Sequence, residues 1–322
     1  RIKEKKARGL LVPFLLLSLY FHLLILLPKY DIVHAHWLIP QGIIQAFFRK
    51  PYIVTGHGGD VTSLNKGILR NLKIQCLKNA SHVTVVSKHL ERKVRELVPQ
   101  IHPSVISMGV DTSLFGRRHR IPGYFNQGDR KVILFVGRLA EKKGVTYLIE
   151  AMKQVDALLI IAGDGPLKQK LQAQAACLSH KVLFLGAKTH EDLKTIYASA
   201  DIFAAPSITA KDGDQEGIPT AIMEAMASGL PVVASDSGGI SQLITNGKNG
   251  LLCEEKNIGQ LAEKLNLLTN DEQLYHQISR MAEESIKQYD YSVIAKKYAV
   301  ILKTMEYRSG FHKRKAERED KA

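Results

Sequence analysis

Short apolar runs rich in β-forming residues alternate with helical patterns along most of this chain, and that alternation restricts the fold more than any single motif. Lys131 to Val136 (KVILFV), Ala157 to Ala162 (ALLIIA), Val182 to Leu185, Asp201 to Ala204 and Pro231 to Ala234 each read as a strand, with turns and helical patterns between them. The first half supplies further strands at Tyr30 to Trp37, Pro51 to Thr55, Ser81 to Val86 and Val105 to Ser107. Strands that alternate regularly with helices form a parallel doubly wound sheet, so the chain is read as α/β. Its 322 residues suit two domains with substantial cores. Residues Thr112 to Arg130 are polar and turn-rich without periodicity, as expected of the connection between two domains.

The second half carries the clearest chemistry. Glu216-Gly217-Ile218-Pro219-Thr220 leads to Glu224 and sets two carboxylates on either side of a turn that opens into a helix. Pro219 suits the first helical turn, where a missing N–H costs nothing, and Gly217 lets the backbone approach a ligand closely. The free N–H groups and partial positive charge of the helix start make a seat for a diphosphate. Carboxylates beside such a seat are placed to bind hydroxyls, which is a nucleotide-sugar site in outline. Upstream, the strand ending at Val136 breaks at Gly137-Arg138 and reaches Lys143-Gly144 before the next helix. A basic loop at the carboxyl end of a parallel strand is where open α/β sheets bind ligands, so Arg138 and Lys143 are phosphate candidates. Lys142 fits a plain solvated loop equally well. Gly163-Asp164-Gly165-Pro166 is a tight turn able to shape a base pocket, although it matches neither a Walker loop nor the G-x-G-x-x-G fingerprint.

In the first half His34 and His36 alternate to one side of a strand, and Gly56-His57-Gly58-Gly59-Asp60 ends the next. The glycines around His57 strip away bulk, so a substrate can approach the ring and the backbone N–H groups. A histidine in a Gly-rich turn with no partner is the plainer reading. Asp60 is placed either to contact substrate or to cap the helix starting near Val61. The H-x-H pair lacks a third metal ligand at matching spacing, so no metal is assigned.

Together these motifs resemble the retaining, nucleotide-sugar-dependent glycosyltransferases of family 4. The resemblance rests on H-A-H-W at 34 to 37, T-G-H-G-G-D at 55 to 60, V-S-K at 86 to 88, G-V-D at 109 to 111 and V-G-R at 136 to 138. It continues through K-K-G at 142 to 144, G-D-G-P at 163 to 166 and E-x7-E at 216 to 224, in the expected order. It implies the GT-B fold, with two Rossmann-like doubly wound domains facing a cleft. The division expected is an acceptor-side domain at 1–112, a linker at 113–130, a nucleotide-sugar-binding domain at 131–288, a helix at 289–305 crossing back to the first domain, and a disordered basic tail at 306–322. The resemblance implies that Arg138 and Lys143 hold the donor diphosphate, Glu216 contacts the sugar, and Glu224 contacts the ribose. Gly137, Gly163, Asp164, Gly217, Ile218, Pro219 and Thr220 line the donor site. His57 matches the family's active-site histidine, and His36, Gly58 and Asp60 fall on the acceptor side. The nucleotide sugar is a substrate and no cofactor is implied. Two departures stand out. The chain begins at Arg1 without the family's opening strand and Gly-rich loop, so the first domain is expected to be an incomplete fragment with an uncovered sheet edge. Met108 replaces the Asn that commonly precedes G-V-D.

Gly9 to Leu27 is nearly long enough to span a bilayer, yet Pro13, Ser18, Tyr20 and His22 interrupt it; a packed or membrane-surface helix is expected. Cys76, Cys177 and Cys253 are scattered without C-x-x-C spacing, which points to reduced thiols and a cytoplasmic setting. The formal net charge is +14, with clusters at Arg1 to Arg8, Lys88 to Arg95, Arg117 to Arg120 and Lys313 to Arg318. No nucleic-acid motif accompanies these clusters, so peripheral attraction to an anionic membrane at its inner face is the expected partner, beside the nucleotide sugar and a glycan or lipid-linked acceptor. The reading is a metal-independent transferase in polysaccharide assembly. Rivals are an epimerase or phosphorylase on a similar fold and a non-catalytic sugar-nucleotide-binding protein.

Overall fold

The computed structural model describes residues 12–126, 128–211 and 213–308. From residue 309 the tail expected to be disordered lies outside the described residues, with the basic cluster at Lys313 to Arg318, as does the cluster at Arg1 to Arg8. The chain divides into two compact units. The first draws on residues up to Val86, on Glu91–Ser107 and on Tyr291 onward; the second draws on Ser87–Leu90 and Met108–Asp290.

In the first unit β1 (Val33–His36), β2 (Tyr52–Gly56), β3 (His82–Val85) and β4 (Ser104–Val105) form a parallel sheet in that order. β1 aligns Val33 with Tyr52 and His36 with Thr55, so His34 and His36 share one face of the sheet. β2 is buried along its whole length, and a strand covered on both faces reads in sequence as a continuous apolar run. The helix Tyr291–Arg308 belongs to this unit by its contacts, although the chain reaches it last.

Of the two expectations for the helix Val12–Leu26, packed or at a membrane surface, the structure does not show the packed one, because none of its residues is buried. Phe14, Leu17, Phe21 and Ile25 are 55–69% exposed. Tyr20 stacks on Phe48 at 5.0 Å, which ties it locally. The physical reason is composition: apolar residues occupy every side, leaving no polar face to turn outward while another packs. With Lys29 as its end, this stretch is long and apolar enough to cross a membrane by length and composition.

The second unit holds a six-stranded parallel sheet, β5 (Val132–Val136), β6 (Leu158–Ala162), β7 (Val182–Gly186), β8 (Ile202–Ala205), β9 (Val232–Ser235) and β10 (Leu251–Cys253), in the order β10-β9-β8-β5-β6-β7. Alternate side chains of β5 enter two cores. Val132 and Leu134 pack with Tyr197, Ile222 and Met226, while Ile133 and Phe135 pack with Leu148, Leu261 and Leu265 on the other face. Each such buried Leu or Ile contributes about 1.5–3 kcal/mol by leaving water. The chain builds outward from β5 to β7, then returns to lay β8 against the other side of β5. That reversal places a topological switch point between β5 and β8, where a doubly wound sheet leaves a crevice at its carboxyl end.

The segment that connects β4 to β5 is irregular but firmly held by the second unit. Phe115 is buried in its core. Arg120 donates to Asp201 at 3.0 Å, and Arg117 donates to the Gly229 carbonyl at 2.8 Å and to Ser279. Two residues of the basic cluster thus tie the segment to the unit's core while their side chains stay about half exposed, 48% for Arg117 and 44% for Arg120.

Candidate functional site

The loops after β5 and β8 meet at the switch point. The Ile208 N–H donates to the Lys142 carbonyl at 2.8 Å. Gly144 adopts φ +64°, and a Cβ there would lie 1.7 Å from the Pro206 carbonyl oxygen, so only glycine lets the two loops close. This contact brings Lys142 and Lys143 to the segment ending at Glu216. The Glu216 side chain is buried, and its Oε1 stands 3.2 Å from Lys143 Nζ and 3.5 Å from Lys142 Nζ. Lys142 also reaches Asp214 at 3.4 Å. Among the described residues no hydrogen bond of proper geometry satisfies Glu216 Oε1 despite these two cations. The aliphatic stem of Lys143 lies over Gly137, where a Cβ would be 3.6 Å from Lys143 Cε.

Behind Glu216 the loop Ser237–Gly239 presses on its backbone. The Gly239 N–H donates to the Glu216 carbonyl at 3.2 Å, and a Cβ on Gly239 would fall 1.9 Å from the Gly217 carbonyl oxygen. The chain then turns through Ile218 and Pro219 into the helix Thr220–Ala227. Pro219 is the N-cap residue rather than a residue within the first turn, and it supplies no side-chain cap. The first N–H groups of that helix are thus left to whatever approaches the turn. Glu224, one turn in, is buried and accepts from the Tyr197 hydroxyl at 2.8 Å. Burial pushes its carboxyl above the usual carboxylate range, opposed by that hydrogen bond and by His190 nearby.

Gly137 and Gly163 bring the loops after β5 and β6 together. Both have φ +156°, and a Cβ on Gly163 would sit 1.9 Å from the Gly137 carbonyl oxygen. A cavity of about 200 Å3 opens beside them, lined by Gly137, Arg138, Gly163 and Asp164 and by Ala187, Lys188 and Leu193. Arg138 therefore lines this cavity, whereas Lys143 pairs with Glu216. Asp164 turns to Lys168 Nζ at 3.0 Å. Lys188, Leu193, Tyr197 and Asp214 were not singled out from sequence. Of these, only the Gly186-Ala187-Lys188 turn at a strand end gave a signal.

The first unit holds its own polar group. The rings of His34 and His36 lie 4.2 Å apart, and His36 Nδ1 is 2.9 Å from Nε2 of His57. His34 Nε2 bonds Thr55 Oγ1 at 2.7 Å, which in turn bonds Thr84 Oγ1 at 2.6 Å. Tyr298, from the last helix, lies with its ring 5.0 Å from that of His34. Burial, with His36 and His57 beside it, lowers the His34 pKa to about 4. Burial also lowers that of His57, against the pull of Asp60. Asp60 turns to the backbone around it. Its Oδ1 accepts from the N–H groups of His57 at 3.0 Å and Gly58 at 2.8 Å, and its Oδ2 accepts from Leu38 N at 2.9 Å. It thereby holds the loop that carries His57. Beneath it the buried ammonium of Lys73 donates to the carbonyls of Val61 at 3.0 Å and Ser63 at 2.7 Å and to Asn65 Oδ1. Trp37, between the strand and this loop, adopts φ +75° and sets its ring edge-on to His57 at 6.1 Å. Among the described residues no three His, Cys, Asp or Glu side chains are arranged to hold a metal ion.

Residues 119–285 match the family Glycosyl transferases group 1, and residues 4–114 match Glycosyltransferase Family 4. An uncharacterized glycosyltransferase of Methanocaldococcus jannaschii is 30% identical over 268 residues, covering 81% of this chain and 72% of that protein. WcaL of Salmonella typhimurium, a glycosyltransferase provisionally named for colanic acid biosynthesis, is 34% identical over 295 residues, covering 85% of this chain and 71% of its own. Among solved structures, HepE of Anabaena in complex with UDP superimposes with a TM-score of 0.77 at 23% identity, over 92% of this chain and 84% of that one. That likeness shows the fold, two parallel-sheet α/β units of the GT-B type. The chain belongs to the family 4, group 1 glycosyl transferases, enzymes of class EC 2.4.

Proposed function

We propose that this protein transfers a sugar from a nucleotide diphosphate donor to a glycan or lipid-linked acceptor in polysaccharide assembly, keeping the anomeric configuration. The observation that carries the reading is Glu216: a buried carboxylate at the switch point, flanked by Lys143 and Lys142, with Oε1 unsatisfied by any aligned donor among the described residues. An oxygen so placed accepts from a sugar hydroxyl, while Lys143, Arg138 and the uncapped start of helix Thr220–Ala227 take the charge of the departing diphosphate. The base enters the cavity beside Gly137 and Gly163, and Glu224 reaches the ribose. His57 supports the reacting sugar, the role the family resemblance gives it.

No side chain of the site is arranged as a nucleophile, and front-face transfer fits what is there. The bond from the anomeric carbon to the phosphate oxygen breaks, the acceptor oxygen bonds that carbon from the same face, and the acceptor proton passes to the leaving phosphate. This chemistry needs neither a metal nor a cofactor. WcaL, through its provisional name, supports polysaccharide assembly, and HepE, solved with UDP and with UDP-glucose, supports a nucleotide-sugar donor. The unpaired thiols of Cys76, Cys177 and Cys253 favour a cytoplasmic setting. The exposed apolar helix Val12–Leu26 favours contact with the inner face of a membrane. The test is release of nucleotide from a panel of UDP-, GDP- and ADP-sugars in the presence of candidate acceptors. The expected result is selective turnover of one donor that falls by about 10²-fold or more in Glu216→Ala; equal turnover in that variant removes Glu216 from the mechanism.

A further inference from the structure

His57 Nε2 is not available to a substrate, because His36 Nδ1 occupies it at 2.9 Å. Two imidazoles can share that bond only if one nitrogen carries the proton and the other presents its lone pair, so the bond couples the tautomers of the two rings. Burial, with the neighbouring rings, lowers the pKa of His34, and burial lowers that of His57 against the pull of Asp60. His36 is itself held in register. It sits at the end of β1 opposite Thr55, and its ring lies 4.2 Å from that of His34, tilted by 30°. His34 is anchored through Thr55 to Thr84 and flanked by Tyr298. The backbone beneath His57 is fixed separately, through Asp60. The His57 loop and the His57 ring thus have different supports, and the ring's support comes from β1.

We propose that His36 is a positioning residue for the transfer reaction, fixing the ring orientation and tautomer of His57 through the Nδ1 to Nε2 hydrogen bond and so leaving Nδ1 as the nitrogen of His57 that serves the substrate. The inference rests on the role given to His57 above. It predicts a distinction between two substitutions. Asparagine places its amide where Nδ1 of histidine stood and can give or take the same hydrogen bond; alanine cannot.

The experiment compares wild type, His36→Ala and His36→Asn by two readouts. In the first, ring-nitrogen NMR of His57, assigned with His57→Gln, should show one neutral tautomer in wild type and His36→Asn and a mixture in His36→Ala. In the second, steady-state transfer with the donor identified by the panel should show kcat lower by about 10²-fold in His36→Ala, with the donor KM little changed and most of the loss recovered in His36→Asn. A single unchanged tautomer in His36→Ala overturns the proposal, as does wild-type kcat in that variant. Equal losses in both variants also overturn it. The NMR readout needs no turnover, so a protein silent on every donor would defeat the functional reading while the tautomer result still judged the positioning.

Discussion

A carboxylate taken out of water must be paired well to offset its desolvation, and Glu216 has two ammonium groups close by but no aligned donor on Oε1. That imperfection is expected where a ligand hydroxyl completes the set. Lys142, read from sequence as a solvated lysine, is part of this arrangement because Asp214 lies within 3.4 Å of it; nothing in the local pattern of the chain brings those two together. The histidine group illustrates the same division. Strand alternation places His34 and His36 on one side, yet Tyr298 arrives from the far end of the chain and Thr84 from another strand. Such partners come from tertiary packing, which has no local signal. The group also carries a pH dependence. His34 titrates near 6.5 when unfolded and is lowered to about 4 in the fold, so between those values the unfolded chain binds the extra proton. Its contribution is complete above pH 6.5 and is lost as pH falls toward 4. Urea midpoints measured near neutrality and at about pH 5 should fall in wild type and fall less in His34→Phe; equal falls would take His34 out of the acid response.

At the scale of elements, the central strands were legible because burial on both faces turns them into unbroken apolar runs. β5, β6, β8 and β9 lie within a residue or so of the positions read from sequence. The first sheet's edge was less legible. Val105 to Ser107 reads as a strand, but β4 pairs only over Ser104–Val105. For Val12–Leu26 the two readings, packed or at a membrane surface, could not be separated, since apolar composition alone does not say which surface covers a helix. The close approaches of loops at strand ends were not legible in detail, because a glycine in sequence does not name the backbone it admits. Gly239 tests that point. Its backbone is of ordinary φ, −97°, so an added methyl is excluded not by conformation but by the Gly217 carbonyl oxygen 1.9 Å away, with Ile218 Cγ1 also close at 3.1 Å. Gly239→Ala should push the Glu216–Gly217 backbone aside, lowering Tm by several degrees and weakening donor binding by about tenfold or more. A variant that binds donor as wild type does would show that this contact does not set the position of Glu216.

For the whole molecule, a net charge of +14 and an exposed apolar helix act together, the first drawing the protein toward anionic surfaces and the second offering something to bury there. The protein should float with vesicles containing anionic lipid at low salt and less at high salt; recovery in the soluble fraction under both conditions would contradict membrane contact. The central claim is narrower, that the second unit holds a nucleotide sugar with Lys143 on the diphosphate and Glu216 on the sugar. It is tested most directly by calorimetry of the free nucleoside diphosphate and of its sugar conjugate against wild type, Lys143→Ala and Glu216→Ala. Lys143→Ala should weaken both ligands by about tenfold or more, while Glu216→Ala should weaken only the sugar conjugate. A sugar conjugate that binds Glu216→Ala as tightly as wild type, or that does not bind wild type at all, would contradict it.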